Sequence, residues 1–136
     1  METNIKKQVM DILEKMGYNS ELDQDGDIKI RYQMKYLYVF VIEDGETFLS
    51  VQLPQFYMIK DDEEALAVAA CNKLTREMKM VKTYIEVNYT NVTAECHFFY
   101  TNEEALEMNL RHSLRILGSI RTRFREKMIE IREMVE

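Results

Sequence analysis

The sequence predicts an α+β fold, an antiparallel sheet packed with helices, in the order α-β-β-β-α-β-β-α. Three observations carry this prediction. Apolar residues recur at helical spacing in three separated stretches, strand-like runs between them alternate apolar and polar side chains, and consecutive hairpins are separated by a helix. The 136 residues suffice for one core without metals or disulfides, and no repeat, low-complexity tract or linker divides them. Residues 1–136 are therefore expected to form a single domain.

Ile5, Val9, Ile12, Leu13 and Met16 repeat at helical spacing, with Gly17 placed as a C-cap, so a first helix is predicted over residues 4–16. Ile28, Ile30 and Tyr32 then alternate with polar residues. Tyr36–Glu43 and Thr47–Leu53 are β-rich, and Asp44-Gly45 between them is the strongest hairpin signal in the chain, giving a three-stranded meander. Pro54 follows the third run, where it costs no ladder bond. Asp61 and Glu64 have capping-box spacing ahead of a second helix running to Met78. Thr83, Ile85, Val87 and Tyr89 form one strand of a second hairpin, and Val92, Ala94, Cys96, Phe98 and Tyr100 form the other. Thr101 and Glu104 make another capping box, and apolar residues from Leu106 to Val135 predict a last helix of about 30 residues, roughly 45 Å long at 1.5 Å per residue. That is longer than the sheet needs, so its far half is expected to want a partner.

Hydrophobic residues at 46% and charged residues at 31% give an ordinary globular balance. The longest apolar stretch, Tyr36–Ile42, is too short for a membrane helix, and the first seven residues lack a signal segment, so the expected location is cytoplasmic, with no membrane contact. The net charge of −6 argues against nucleic acid. One region runs the other way, with Arg111, Arg115, Arg121, Arg123, Arg125 and Lys127 against Glu126 alone. A solvated face, an acidic protein partner including a dimer mate, and nucleic acid are the three readings of that segment.

No catalytic set emerges. Asp23-Gln24-Asp25-Gly26-Asp27 resembles the start of a calcium loop, but position twelve is Met34 or Tyr32 according to register, not the required glutamate, so a polar turn is predicted. His97 and His112 have no acidic partner at ligand spacing. Cys96 and His97 are adjacent on a strand and point to opposite faces, so they cannot act as nucleophile and base. Cys71 and Cys96 read as buried small hydrophobes. The sequons at Asn88 and Asn91 mark a turn. The four isolated glycines cradle no phosphate, and neither a metal nor any other cofactor is expected.

The positive signal is strand phasing. Leu37, Val39 and Val41 occupy one face of their strand, yet Tyr36, Tyr38, Phe40 and Ile42 occupy the other. Phe48, Tyr84 and Phe99 are likewise out of phase with Leu49, Ile85 and Phe98. A sheet covered on one side should leave its second face polar. Either a helix or loop covers this second face, or it is an aromatic patch of the kind that marks a protein interface, with ten methionines available to adapt it.

With this element order the chain resembles the YbjN-like family of bacterial sensory transduction regulators, whose fold is that of the type III secretion chaperones. The residues that carry the likeness are Gly17-Tyr18 with Asp25-Gly26-Asp27, and Ala70-Cys71-Asn72-Lys73-Leu74-Thr75 followed by Val81-Lys82. The second stretch looks like the family's Asn-x-Leu-Asn and Lys features, with Thr75 where a second Asn often stands. The resemblance implies a non-enzymatic, often dimeric domain that binds proteins. Together these readings predict a protein-binding module, a regulator or chaperone-like adaptor and possible homodimer, contacting a protein partner through Tyr38, Phe40, Phe48, Tyr84 and Phe99. The alternative is a nucleic-acid-binding regulator using Arg111, Arg115, Arg121, Arg123 and Arg125.

Overall fold

A computed structural model describes residues 2–42 and 47–135. Its elements are α1 (Glu2–Lys15), β1 (Ser20–Leu22), β2 (Ile28–Tyr32), β3 (Lys35–Val41), β4 (Phe48–Met58), α2 (Glu64–Glu77), β5 (Val81–Ile85), β6 (Asn91–Phe99) and α3 (Glu103–Val135). The strands form one antiparallel sheet in the order β1-β2-β3-β4-β6-β5. The α+β class is as the sequence predicted, with β1 added at one edge. Three residues are too few to display alternation, and β1 exists through its pairing with β2. The Asp44-Gly45 signal lies outside the described residues.

Helix α1 ends as its sequence indicates. The Tyr18 amide donates to the Leu13 carbonyl and the Gly17 amide to that of Glu14, with Gly17 at φ +95°, a left-handed cap. The polar turn is also in place, since Asp23 Oδ1 accepts the amides of Asp25 and Asp27, each at 2.9 Å. Other boundaries move. β4 continues past Pro54 to Met58 because its ladder with β6 breaks between Leu53 and Tyr57, and Pro54 stands in that bulge where no ladder donor is required. β5 stops at Ile85; Val87 and Tyr89 are exposed in the turn, where Asn88 Oδ1 accepts the Thr90 amide. Neither predicted capping box forms: Asn102, not Thr101, caps α3 by accepting the Ala105 amide at 2.8 Å, and Glu63, not Asp61, precedes α2.

The core lies between one sheet face and the three helices. Ile28, Ile30, Leu37, Val39, Leu49, Val51, Ala94 and Cys96 supply the sheet side, and Val9 and Leu13 of α1, Ala70 and Leu74 of α2, and Leu110, Leu117 and Phe124 of α3 supply the other. Each large side chain buried this way contributes about 1.5–3 kcal/mol. The far half of α3 packs against β4 and α2 of its own chain. Phe124 is fully buried, 5.5 Å from the Phe56 ring and 5.0 Å from that of Tyr57, and Lys127 bonds Glu77 of α2 at 2.7 Å.

Two close contacts hold helices to the sheet. Thr75 Oγ1 accepts the Thr83 amide at 2.9 Å, and Thr83 Oγ1 donates to the Cys71 carbonyl at 2.9 Å, so α2 closes the outer edge of β5. On α3, Gly118 faces the ring of Tyr32, and a Cβ there would stand 2.6 Å from Tyr32 Cε2. Thr75→Val should therefore cost about 1–3 kcal/mol by leaving a buried amide without a partner, read as a lower denaturation midpoint; an unchanged midpoint refutes the contact. Gly118→Ala, which in an open helix gains about 1 kcal/mol, should instead lose about 1–3 kcal/mol by overpacking. A Gly118→Ala/Tyr32→Leu double variant that recovers nothing would refute that cause.

Candidate functional site

The alternate side chains of the sheet lie opposite the helices, and here the five aromatic residues singled out by phasing come together on one face. Tyr38 and Phe40 of β3 stack with ring centroids 6.3 Å apart, and Phe48 of β4 packs 4.7 Å from Phe99 of β6. Tyr84 of β5 pairs across the ladder with Thr93. Tyr36 at 47% and Phe99 at 63% exposure stand in solvent, while Tyr38, Phe40, Phe48 and Tyr84 are half-buried by their neighbours in the face. Among the described residues no helix packs on this side. Alternation places Cys96 in the core and His97 on the open face, so the pair is separated as expected, and burial pushes the thiols of Cys71 to about 11 and Cys96 to about 12.

The open face also holds a polar island that phasing by apolar residues passed over. Register aligns Lys29, Tyr38, Gln52, Glu95 and Lys82 in one row across five strands, and Phe40, Ser50 and His97 in the next. Glu95 is the hub. Its Oε2 accepts from Gln52 Nε2 at 2.6 Å and lies 3.3 Å from His97 Nε2, while its Oε1 lies 3.2 Å from Lys82 Nζ. Its carboxylate is buried yet fully partnered, which makes it tolerable in an otherwise aromatic surface. Burial, and then the charges of Glu95 and Glu86, push the Tyr84 hydroxyl up to about 12, so it remains a protonated donor. Gln52 and Glu95 share the strand phase of Phe48 and Phe99, which spacing shows, but that the two meet depends on the register between β4 and β6.

The basic residues of α3 do not share one face. At about 100° per residue, Arg123 lies about 200° around the helix from Arg121. Arg111 pairs with Glu107 at 2.8 Å, Arg115 lies 2.6 Å from His112 Nδ1, and Lys127 bridges Glu77 and Glu130. Arg121 and Arg125 instead line a cleft of about 610 Å³ between α3 and the end of β4, with Phe56, Tyr57, Met58, Lys60, Glu63, Met128, Ile129 and Arg132. Glu63 is buried there, and no sequence signal marked it out from its acidic run. Its Oε1 accepts from the Tyr57 hydroxyl at 2.8 Å and the Lys60 amide at 3.1 Å, and its Oε2 from Arg132 at 3.2 Å.

The Asp23, Asp25 and Asp27 carboxylates also converge. Burial, with the charges of Asp23 and Asp25, raises the Asp27 carboxyl, and the cluster is explained by the turn that it builds. No described helix is long and apolar enough to cross a membrane.

An antiparallel sheet packed with helices agrees with the comparison to known families. The family model described as T3SS (YopN, CesT) and YbjN peptide-binding chaperone 1 matches residues 3–129. The chain belongs to this TY-Chap1 family. Among solved structures, that of YbjN from E. coli, a candidate transcription regulator, superimposes with a TM-score of 0.63, covering 88% of each chain at 11% identity. At that identity the likeness is one of fold. No curated protein matches the chain. The TY-Chap1 fold thus supplies the sheet, and this chain's own side chains supply the aromatic face and the Glu95 island.

In the cleft, burial raises the Glu63 carboxyl, but bonds from the Lys60 amide, the Tyr57 hydroxyl and Arg132 outweigh it, and the group is held below its ordinary value of 4.5. The unfolded chain therefore binds the Glu63 proton more readily than the folded one, so this contribution to stability is present above 4.5 and is lost as pH falls through the lower folded value. Glu63→Gln should flatten the fall in melting temperature on acidification below pH 4.5. An equally steep fall in the variant would refute the assignment.

Proposed function

We propose that this chain is a non-enzymatic, chaperone-like adaptor that binds an extended segment of a partner protein across the open face of its sheet. The gathering of Tyr38, Phe40, Phe48, Tyr84 and Phe99 on the face opposite the helices carries this reading. Membership of a peptide-binding chaperone family supports it. Strand addition at the β5 edge is disfavoured because Thr75 already occupies the Thr83 amide, and β1 offers only three residues at the other edge. A segment crossing the face meets aromatic side chains on either side of a polar centre, so an apolar-polar-apolar sequence fits best. Aromatic anchors of this kind dominate binding, and losing one typically costs about 2 kcal/mol or more, about a 30-fold loss of affinity.

The test begins with random twelve-residue peptides selected by display on the full chain, followed by calorimetric titration of the recovered sequences. Phe40→Asp and Phe99→Asp should each weaken binding by about 30-fold with an unchanged circular-dichroism melt. The 63% exposure of Phe99 keeps its substitution informative even if Phe40→Asp unfolds the chain. Undiminished binding by a folded Phe99→Asp variant would overturn the reading.

A further inference from the structure

We propose that the cleft between α3 and the end of β4 is a second binding site, which takes an acidic, apolar peptide segment of a partner protein. Lys60, Arg121, Arg125 and Arg132 line the cleft with a single carboxylate, that of Glu63. Both oxygens of that carboxylate are already engaged, by the Tyr57 hydroxyl, the Lys60 amide and Arg132. Among the described residues, Arg121, Arg125 and the Lys60 ammonium have no ion pair. Arg121 and Arg125 are one turn apart on the same helix face, an arrangement of like charges that costs a helix a few tenths of a kcal/mol.

The apolar part of the cleft decides between ligand classes. Met58 is 74% and Ile129 54% exposed at its rim, and Phe56, Tyr57 and Met128 lie behind them. At that rim, flexible aliphatic and thioether side chains receive an apolar residue well, while the two aromatic rings are turned to the core, Phe56 buried and Tyr57 packed on Phe124, so neither stands open for stacking a base. A volume of about 610 Å³ accommodates a few side chains. Carboxylates engaging Arg121 and Arg125 with a leucine-sized residue between them satisfy both halves of the site.

The probe is a fluorescein-labelled octapeptide of alternating glutamate and leucine, titrated into the full chain by anisotropy. Controls are the glutamine-leucine analogue and a single-stranded RNA octamer. The acidic peptide should bind, weaken with added salt, and lose at least tenfold in affinity in both Arg121→Glu/Arg125→Glu and the milder Arg121→Ala/Arg125→Ala variant. Arg123→Glu, on the other flank of α3, should leave it unchanged, and so should Phe99→Asp, which separates this site from the open face. Equal binding of the glutamine analogue, an equal loss in Arg123→Glu, or tighter binding of the RNA through the same two arginines would each overturn the proposal.

Discussion

The period-2 alternation of the strands is the constraint on which the rest of this structure depends. Side chains at successive positions leave opposite faces of the sheet, so a single antiparallel ladder sorts every strand residue into one of two populations. In this chain the first population is aliphatic and small, from Ile28 and Leu37 to Ala94 and Cys96, and it is the one against which α1, α2 and α3 pack. With all three helices committed to that side, no helix among the described residues covers the second population. Tyr36, Tyr38, Phe40, Phe48 and Phe99 are therefore presented outward by the same register that buries their neighbours.

An aromatic face of this kind carries two hazards, edge association and loss of a defined register, and the structure meets both with polar groups. At one edge, the Thr75 hydroxyl takes the outward amide of Thr83, which removes a donor that another strand could use. At the centre, Glu95 collects Gln52, Lys82 and His97, tying β4, β5 and β6 together on the outer side as the core ties them on the inner. A one-residue slip of β6 would drive Glu95 into the core and Cys96 into solvent, so the island also fixes the register that displays the aromatic residues.

The helix side is less uniform than its core suggests. The bulge at Pro54 lets β4 run on to Met58, and this extension meets the far half of α3. Phe124 seals the contact against Phe56 and Tyr57, and beyond it the arginines at 121, 125 and 132 surround the cleft that holds Glu63. The length of α3 is thus used within the chain, chiefly to pack on β4 and α2. Two surfaces of different character result, one aromatic with a balanced polar centre and one apolar with excess positive charge.

Much of this was legible in the residues alone, because alternation and helical periodicity are local properties. The three helices, the two hairpin groups, the Gly17 cap, the inert cysteines and the out-of-phase aromatic residues all follow from spacing along the chain. What escaped depends on contacts between distant segments. β1 exists only through β2, the extension of β4 only through a bulge that excuses Pro54, and the shorter β5 only through a turn closed by Asn88. The basic run of α3 is contiguous along the chain, but helical rotation of about 100° per residue and the neighbours of each arginine divide it. The sequence by itself determined which side chains share a face of each strand. Only the tertiary structure decided which of the two faces the helices cover, because that choice rests on packing between elements far apart in the chain.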